Sequence, residues 1–111
     1  MRKVLHFYGS LPELVLDGSK TSTWRVNDEK SISEGDELSL CRNDNAEFAK
    51  AIVISVKNTT FGKLTDEDKE GHEEFNSDEE MYKTYSGYYK FQVKPETELK
   101  IIRFKILGVT N

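Results

Sequence analysis

The sequence predicts an α+β domain: a small mixed or antiparallel β-barrel with short helices at one end. Three observations point there. Runs of alternating apolar and polar residues recur along most of the chain, as half-buried strands do. A short helical stripe follows the first run. An acidic and then helical segment interrupts the set before the last run. No repeat, low-complexity tract or linker divides the 111 residues. Residues 1–111 therefore read as one domain, large enough to bury a core without disulfides or a metal.

Residues 3–8, KVLHFY, alternate Val4, His6 and Tyr8 against Leu5 and Phe7, which predicts a strand. PELVLDG, residues 12–18, follows as a short helix. Pro12 suits a first turn, Leu11, Leu14 and Val15 form the apolar stripe, and Gly18 is the stop. STWRV, residues 22–26, turns extended, with Trp24 and Val26 on one face and Thr23 and Arg25 on the other. SEGDEL is a turn and LSLC a strand, then EFAKAIVISVKNTTF is the longest β-rich run. In the acidic insert, residues 64–89, Ser77 is an N-cap with Glu80 three residues on, and Met81, Tyr85 and Tyr88 recur at helical spacing. KPETE reads as a loop. ELKIIRFKIL is the closing strand, with Ile101, Arg103 and Lys105 opposite Ile102, Phe104 and Ile106.

Composition narrows the function classes. Hydrophobic residues are 36% and charged residues 32%, yet six Phe, five Tyr and one Trp supply core material, which excludes the disordered class. The single cysteine, Cys41, excludes an internal disulfide and a cysteine zinc site, and its strand setting suits a reducing cytoplasm. The N-terminal apolar run is too short for a signal peptide, and no stretch approaches a membrane span. A net charge of −4 argues against a protein that lives on nonspecific phosphate contacts. It leaves room for a local basic pocket or a nucleoside-like ligand.

The segment GSKTSTWR holds the most chemistry. A lysine near an arginine is poised for a lowered pKa, since a like charge disfavours the ammonium. A neutral amine can activate a hydroxyl for attack on a carbonyl. Lys20 and Thr23 then read as base and nucleophile. On spacing alone the plainer reading comes first: Lys20 and Arg25 as solvated charges and Thr23 as a β-branched strand residue, since charges usually lie exposed. Elsewhere, DEDKEGHEEFNS superficially matches a calcium loop, but Ser77 stands where a bidentate Glu is needed, so a solvated acidic loop is the reading. His6 and His72 lie on distant segments and make a poor zinc pair. Tyr82, Tyr85, Tyr88, Tyr89 and Phe91 pack the insert or offer a stacking platform, with Tyr88 or Tyr89 as the platform.

The Gly18, Lys20 and Arg25 spacing fits the G-x-K-x-x-x-x-R signature of the ASCH domain, a PUA-like β-barrel family. The short helix before it, Gly35-Asp36 after it, the acidic insert and the final IIRFKIL strand agree over nearly the whole chain. KTST most resembles the small bacterial N4-acetylcytidine amidohydrolases. The resemblance implies Lys20 as proton acceptor, Thr23 as nucleophile, and a glutamic acid from the insert. Glu74 matches the spacing to the helix, Glu70 matches a Glu-Gly pair, and Glu73 lies between. Gly18, Ser22, Arg25 and Tyr88 are the implied substrate contacts. No metal or cofactor is implied. The expected partner is a small nucleoside substrate. RNA, bound by the same pocket as in PUA domains or cut as by an ASCH-type ribonuclease, is the rival.

Overall fold

The computed structural model describes residues 2–27 and 30–110. Five strands form one curled sheet: β1 (Arg2–Phe7), β2 (Ser22–Arg25), β3 (Glu37–Arg42), β4 (Glu47–Thr60) and β5 (Glu98–Val109). Their spatial order is β1-β3-β4-β5-β2. Only the β1–β3 pair is parallel; the other neighbours run antiparallel. A parallel pair needs a long crossover. Here the segment between β1 and β3 includes α1 (Leu11–Leu16) and β2, which is carried to the far edge of the sheet.

Register shifts interrupt the β3–β4 pairing at Leu40/Cys41 and the β4–β5 pairing at Lys50/Ala51 and Val53/Ser55. Such bulges bend strands and increase their twist. The two long strands thus curl into a half-barrel whose edges are β1 and β2. No backbone ladder joins these edges. A side chain does: Arg25 Nη2 on β2 donates to the His6 carbonyl on β1 at 3.1 Å. The guanidinium carbon also lies 5.2 Å from the centre of the Phe7 ring.

Two cores result. Leu5, Phe7, Leu38, Leu40, Ile102 and Phe104 belong to the first, and Val15 brings α1 onto it. Trp24, Val26, Phe61, Leu99 and Ile101 belong to the second, with Met81 and Tyr85 from α3 (Asp78–Tyr89). The alternation expected of the last strand is present, and both of its faces are covered there. Ile102 faces one core and Ile101 the other.

The helices differ from expectation in detail. A 3-10 turn over Phe61–Lys63 ends the long strand, so Phe61 is not part of it. A one-turn helix, α2 (Asp66–Lys69), precedes α3 and carries the reciprocal capping box, Thr65 with Asp68. At α3, Ser77 Oγ accepts from Glu80 N at 3.1 Å, as a cap should. The Glu80 carboxylate reaches one residue further back, to Asn76. Met81 and Tyr85 are buried, while Tyr88 at 50% exposure sits at the margin of the stripe. Cys41 is buried in its strand.

Candidate active site

The site begins where α1 stops. Gly18 takes a φ of +87°, a conformation glycine adopts without strain, and the chain turns back. Lys20 N then donates to Leu14 O at 3.0 Å. This return sends the Lys20 side chain inward, where 2% of it is exposed. Its Nζ donates to Glu73 Oε2 at 2.6 Å. On β2, Thr23 pairs with Ile102 of β5, and Thr23 Oγ1 accepts from Arg25 Nε at 3.1 Å. A guanidinium donor on that oxygen favours the alkoxide form of the hydroxyl. Lys20, Thr23, Arg25, Glu73, Tyr85 and Tyr88 all line a pocket of about 160 Å³. The pocket opens at the gap between β1 and β2, with Tyr8 and Leu11 on its other side. Trp24 lines it beside Thr23.

Glu73 arrives by a docked loop. Gly71 O accepts from Thr21 N at 2.8 Å and from Ser22 N at 3.1 Å, which fastens the insert to the start of β2. The Ser22 hydroxyl donates to Glu70 O at 3.4 Å, and Arg103 Nη1 donates to the same oxygen at 3.0 Å. Arg103 Nη2 adds a bond to Glu67 O. Gly71 has a φ of +74°, and a Cβ there would lie 2.0 Å from Thr21 Oγ1. Only glycine fits this approach. His72 follows, stacked on Trp24 with ring centres 3.7 Å apart, and Glu73 comes next, facing Lys20.

Burial lowers the Lys20 pKa, Glu73 opposes that, and the Arg25 charge adds a smaller push downward. Arg25 is thus a minor influence on Lys20 beside burial. For Glu73, burial pushes upward, but the Lys20 charge, the His72 ring where acid protonates it, and the Lys20 hydrogen bond outweigh it and hold the carboxyl below its ordinary value. His72 is pushed down to about 4 by burial and then by the Lys20 charge. At neutral pH the site holds an ammonium, a carboxylate and a neutral imidazole.

The residues singled out in the sequence divide into two sets. Lys20, Thr23, Arg25 and Tyr88 meet in the one pocket. Glu70 and Glu74 line only a neighbouring one, of about 500 Å³, which Glu73 and His72 also line, with Asp66 and Asp78. The carboxylate at Lys20 is that of Glu73, because the turn at Gly71 directs that position inward. Ser22 is fully buried and anchors Glu70 through its hydroxyl rather than lining the pocket. Gly18 is exposed and acts as a turn. Sequence reasoning did not single out Tyr8, nor the link from His72 to Glu73. The Gly71-His72 pair, a turn residue before the lone histidine of an acidic run, is the signal that could have found the second. Trp24 Nε1 is buried with no hydrogen-bond partner among the described residues.

No family model and no curated protein matches the sequence. Solved structures match its fold. One is a DUF984 protein from Enterococcus faecalis, 17% identical, covering 100% of this chain and 83% of its own, at a TM-score of 0.78. A second is the ASCH domain of a Lactobacillus crispatus protein, 12% identical over 96% of this chain and 80% of its own, at 0.77. A third is an ASCH protein from Zymomonas mobilis, 11% identical over 93% of this chain and 66% of its own, at 0.63. The chain therefore has the fold of an ASCH domain, with its PUA-like half-barrel.

Proposed function

We propose that this ASCH-type domain hydrolyses the N4-acyl amide of N4-acetylcytidine-like nucleosides or bases to cytidine and acetate. The observation behind this reading is the 2.6 Å pair of a buried Lys20 and a partly buried Glu73 in the pocket that Thr23 lines. One proton lies between an amine and a carboxylate. Moving it from Lys20 to Glu73 turns an ion pair into a neutral base and a neutral acid. Exclusion of water by a bound substrate favours that move, since burial disfavours both charges.

Lys20 then takes the Thr23 proton as Oγ1 attacks the acyl carbonyl. Glu73 gives its proton to the departing N4 amine. This leaves an acyl-threonine, a lysinium and a carboxylate. In the second half Glu73 takes a proton from water, whose oxygen attacks the ester, and Lys20 returns a proton to Thr23 Oγ1. Acetic acid leaves, and the neutral pair is restored. Lys20 and Thr23 share the pocket without a hydrogen bond between them, so the lysine swings from Glu73 toward Thr23 during the cycle; such contacts tighten in enzyme–substrate complexes. Arg25 holds Thr23 Oγ1 throughout, and Tyr88 stands at the mouth for a base to stack on.

Incubation with N4-acetylcytidine, read by mass, tests the reading. The expected result is loss of the acetyl mass with release of acetate. Intact substrate with folded protein rejects it. RNA binding is the second reading. It draws on a groove of about 440 Å³ that shares Arg25 with the pocket and adds Lys63 and Lys100. Affinity for single-stranded RNA that falls steeply with salt would favour it.

A further inference from the structure

We propose that His72 is a positioning residue: as a neutral imidazole it fixes Glu73 against Lys20 and leaves the second oxygen of that carboxylate, Oε1, free to accept a hydrogen bond from a ligand. The inference rests on the Lys20–Glu73 pair being the working pair of the pocket.

The tautomer follows from the contacts. Nδ1 lies 3.0 Å from the Glu73 main-chain oxygen, which can only accept, so Nδ1 carries the proton. In a neutral ring Nε2 is then an acceptor. It lies 2.9 Å from the Tyr85 hydroxyl, which donates to it. Burial pushes the Tyr85 pKa well up, so this hydroxyl keeps its proton. Nε2 also lies 3.5 Å from Glu73 Oε1. Both atoms are acceptors, and no hydrogen bond joins them. Glu73 thus uses Oε2 on Lys20, while Oε1 receives no hydrogen bond among the described residues.

The ring has little freedom to do otherwise. Trp24 stacks on it at an interplanar angle of 13°, and 1% of its side chain is exposed. The charged and titratable groups facing it are Lys20 ahead of β2, Arg25 on β2, Glu73 beside it and Tyr85 on α3. The two cations and the burial disfavour a second proton. A doubly protonated ring would donate from Nε2 to Oε1 and close that oxygen. Its pKa of about 4 agrees with the neutral form.

Two substitutions separate the roles of the ring nitrogens. In His72→Asn an amide N–H takes the place of Nδ1–H. In His72→Gln an amide reaches the place of Nε2, accepts from Tyr85 and donates to Oε1, which favours the charged carboxylate. The measurements are the Glu73 carboxyl titration by carbon-13 NMR, and kcat and KM for N4-acetylcytidine. His72→Gln is expected to lower the titration midpoint and reduce kcat about tenfold, with KM changed less than about threefold. His72→Asn is expected to rescue both readouts to near the wild-type values. A wild-type midpoint and kcat in His72→Gln overturn the proposal, as does an equal loss in His72→Asn. If His72→Gln does not fold, His72→Asn decides alone, and failure of both to fold overturns the proposal in favour of a packing role. Wild-type protein that releases no acetate removes the assigned substrate, while the titration still decides the role of His72.

Discussion

The two halves of the pocket are held by different means. Thr23 and Arg25 sit on β2, whose four residues pair in register with β5. Their direction follows from strand alternation, and the sheet enforces it. Glu73 sits on a loop fastened through main-chain atoms of residues 70 and 71, by Thr21, Ser22 and Arg103. Its direction depends on one close approach at Gly71. Lys20 joins the halves. The strand half is part of the fold, whereas the loop half is an attachment to it. Changes to the loop can therefore disable the site while the sheet persists.

Loss of Thr23 on the strand, or of Lys20 between the halves, should cost most. Thr23→Ala and Lys20→Ala should each reduce acetate release by about 10²–10⁴-fold, the range for loss of a reacting group or its base. Thr23→Ala should keep the far-ultraviolet circular dichroism of the wild type. The loop half comes next. Gly71→Ala puts a side chain 2.0 Å from Thr21 Oγ1 at a φ of +74°. Destabilisation of about 1–3 kcal/mol is expected from the left-handed backbone and more from the contact. Denaturant melts should show it, with loss of turnover and retained β-sheet signal. Unchanged turnover in this variant would mean that the loop does not deliver the acid.

Acid should loosen the same half. His72 has a pKa of about 4 in the folded chain against 6.5 ordinarily, so the unfolded chain binds more protons between those values. The stability it contributes is complete above pH 6.5 and lost as pH falls to 4. The difference corresponds to about 3 kcal/mol. Glu73, also lowered, adds a loss as pH falls below its ordinary 4.5. Urea melts at a series of pH values should show a steep decline across this window, and His72→Asn should flatten it. The smallest effect sharpens the picture at the pocket mouth. Tyr88 is half exposed, so Tyr88→Ala should barely alter the melting temperature and should raise KM about fivefold to tenfold, as loss of one stacking face does.

How much was legible in the sequence follows the same division. Alternation in STWRV sets Trp24 and Val26 on one face and Thr23 and Arg25 on the other, because a strand's period of two is written directly into the residues, and Trp24 and Val26 do lie in one core. The Gly18 turn was legible for a similar reason, since a helix stop is written in its glycine; the inward return of Lys20 was not, because spacing alone favours a solvated charge and only the family resemblance points it to the pocket. Nor was the acid. Glu70, Glu73 and Glu74 are chemically identical, and local pattern cannot tell which one a loop turns inward. That choice depends on Gly71 meeting Thr21 across some fifty residues. The short helix at Asp66–Lys69 was missed as well, because an acidic run reads as solvated loop until its Thr65 cap is seen to close.

On the proposed mechanism, Glu73 is the carboxylate that works with Lys20. Acetate-release rates of Glu73→Gln, Glu74→Gln and Glu70→Gln, measured side by side on N4-acetylcytidine, test it most directly. The predicted result is a loss of about 10²-fold or more in Glu73→Gln alone. A comparable loss in Glu74→Gln or Glu70→Gln with activity kept in Glu73→Gln would contradict it.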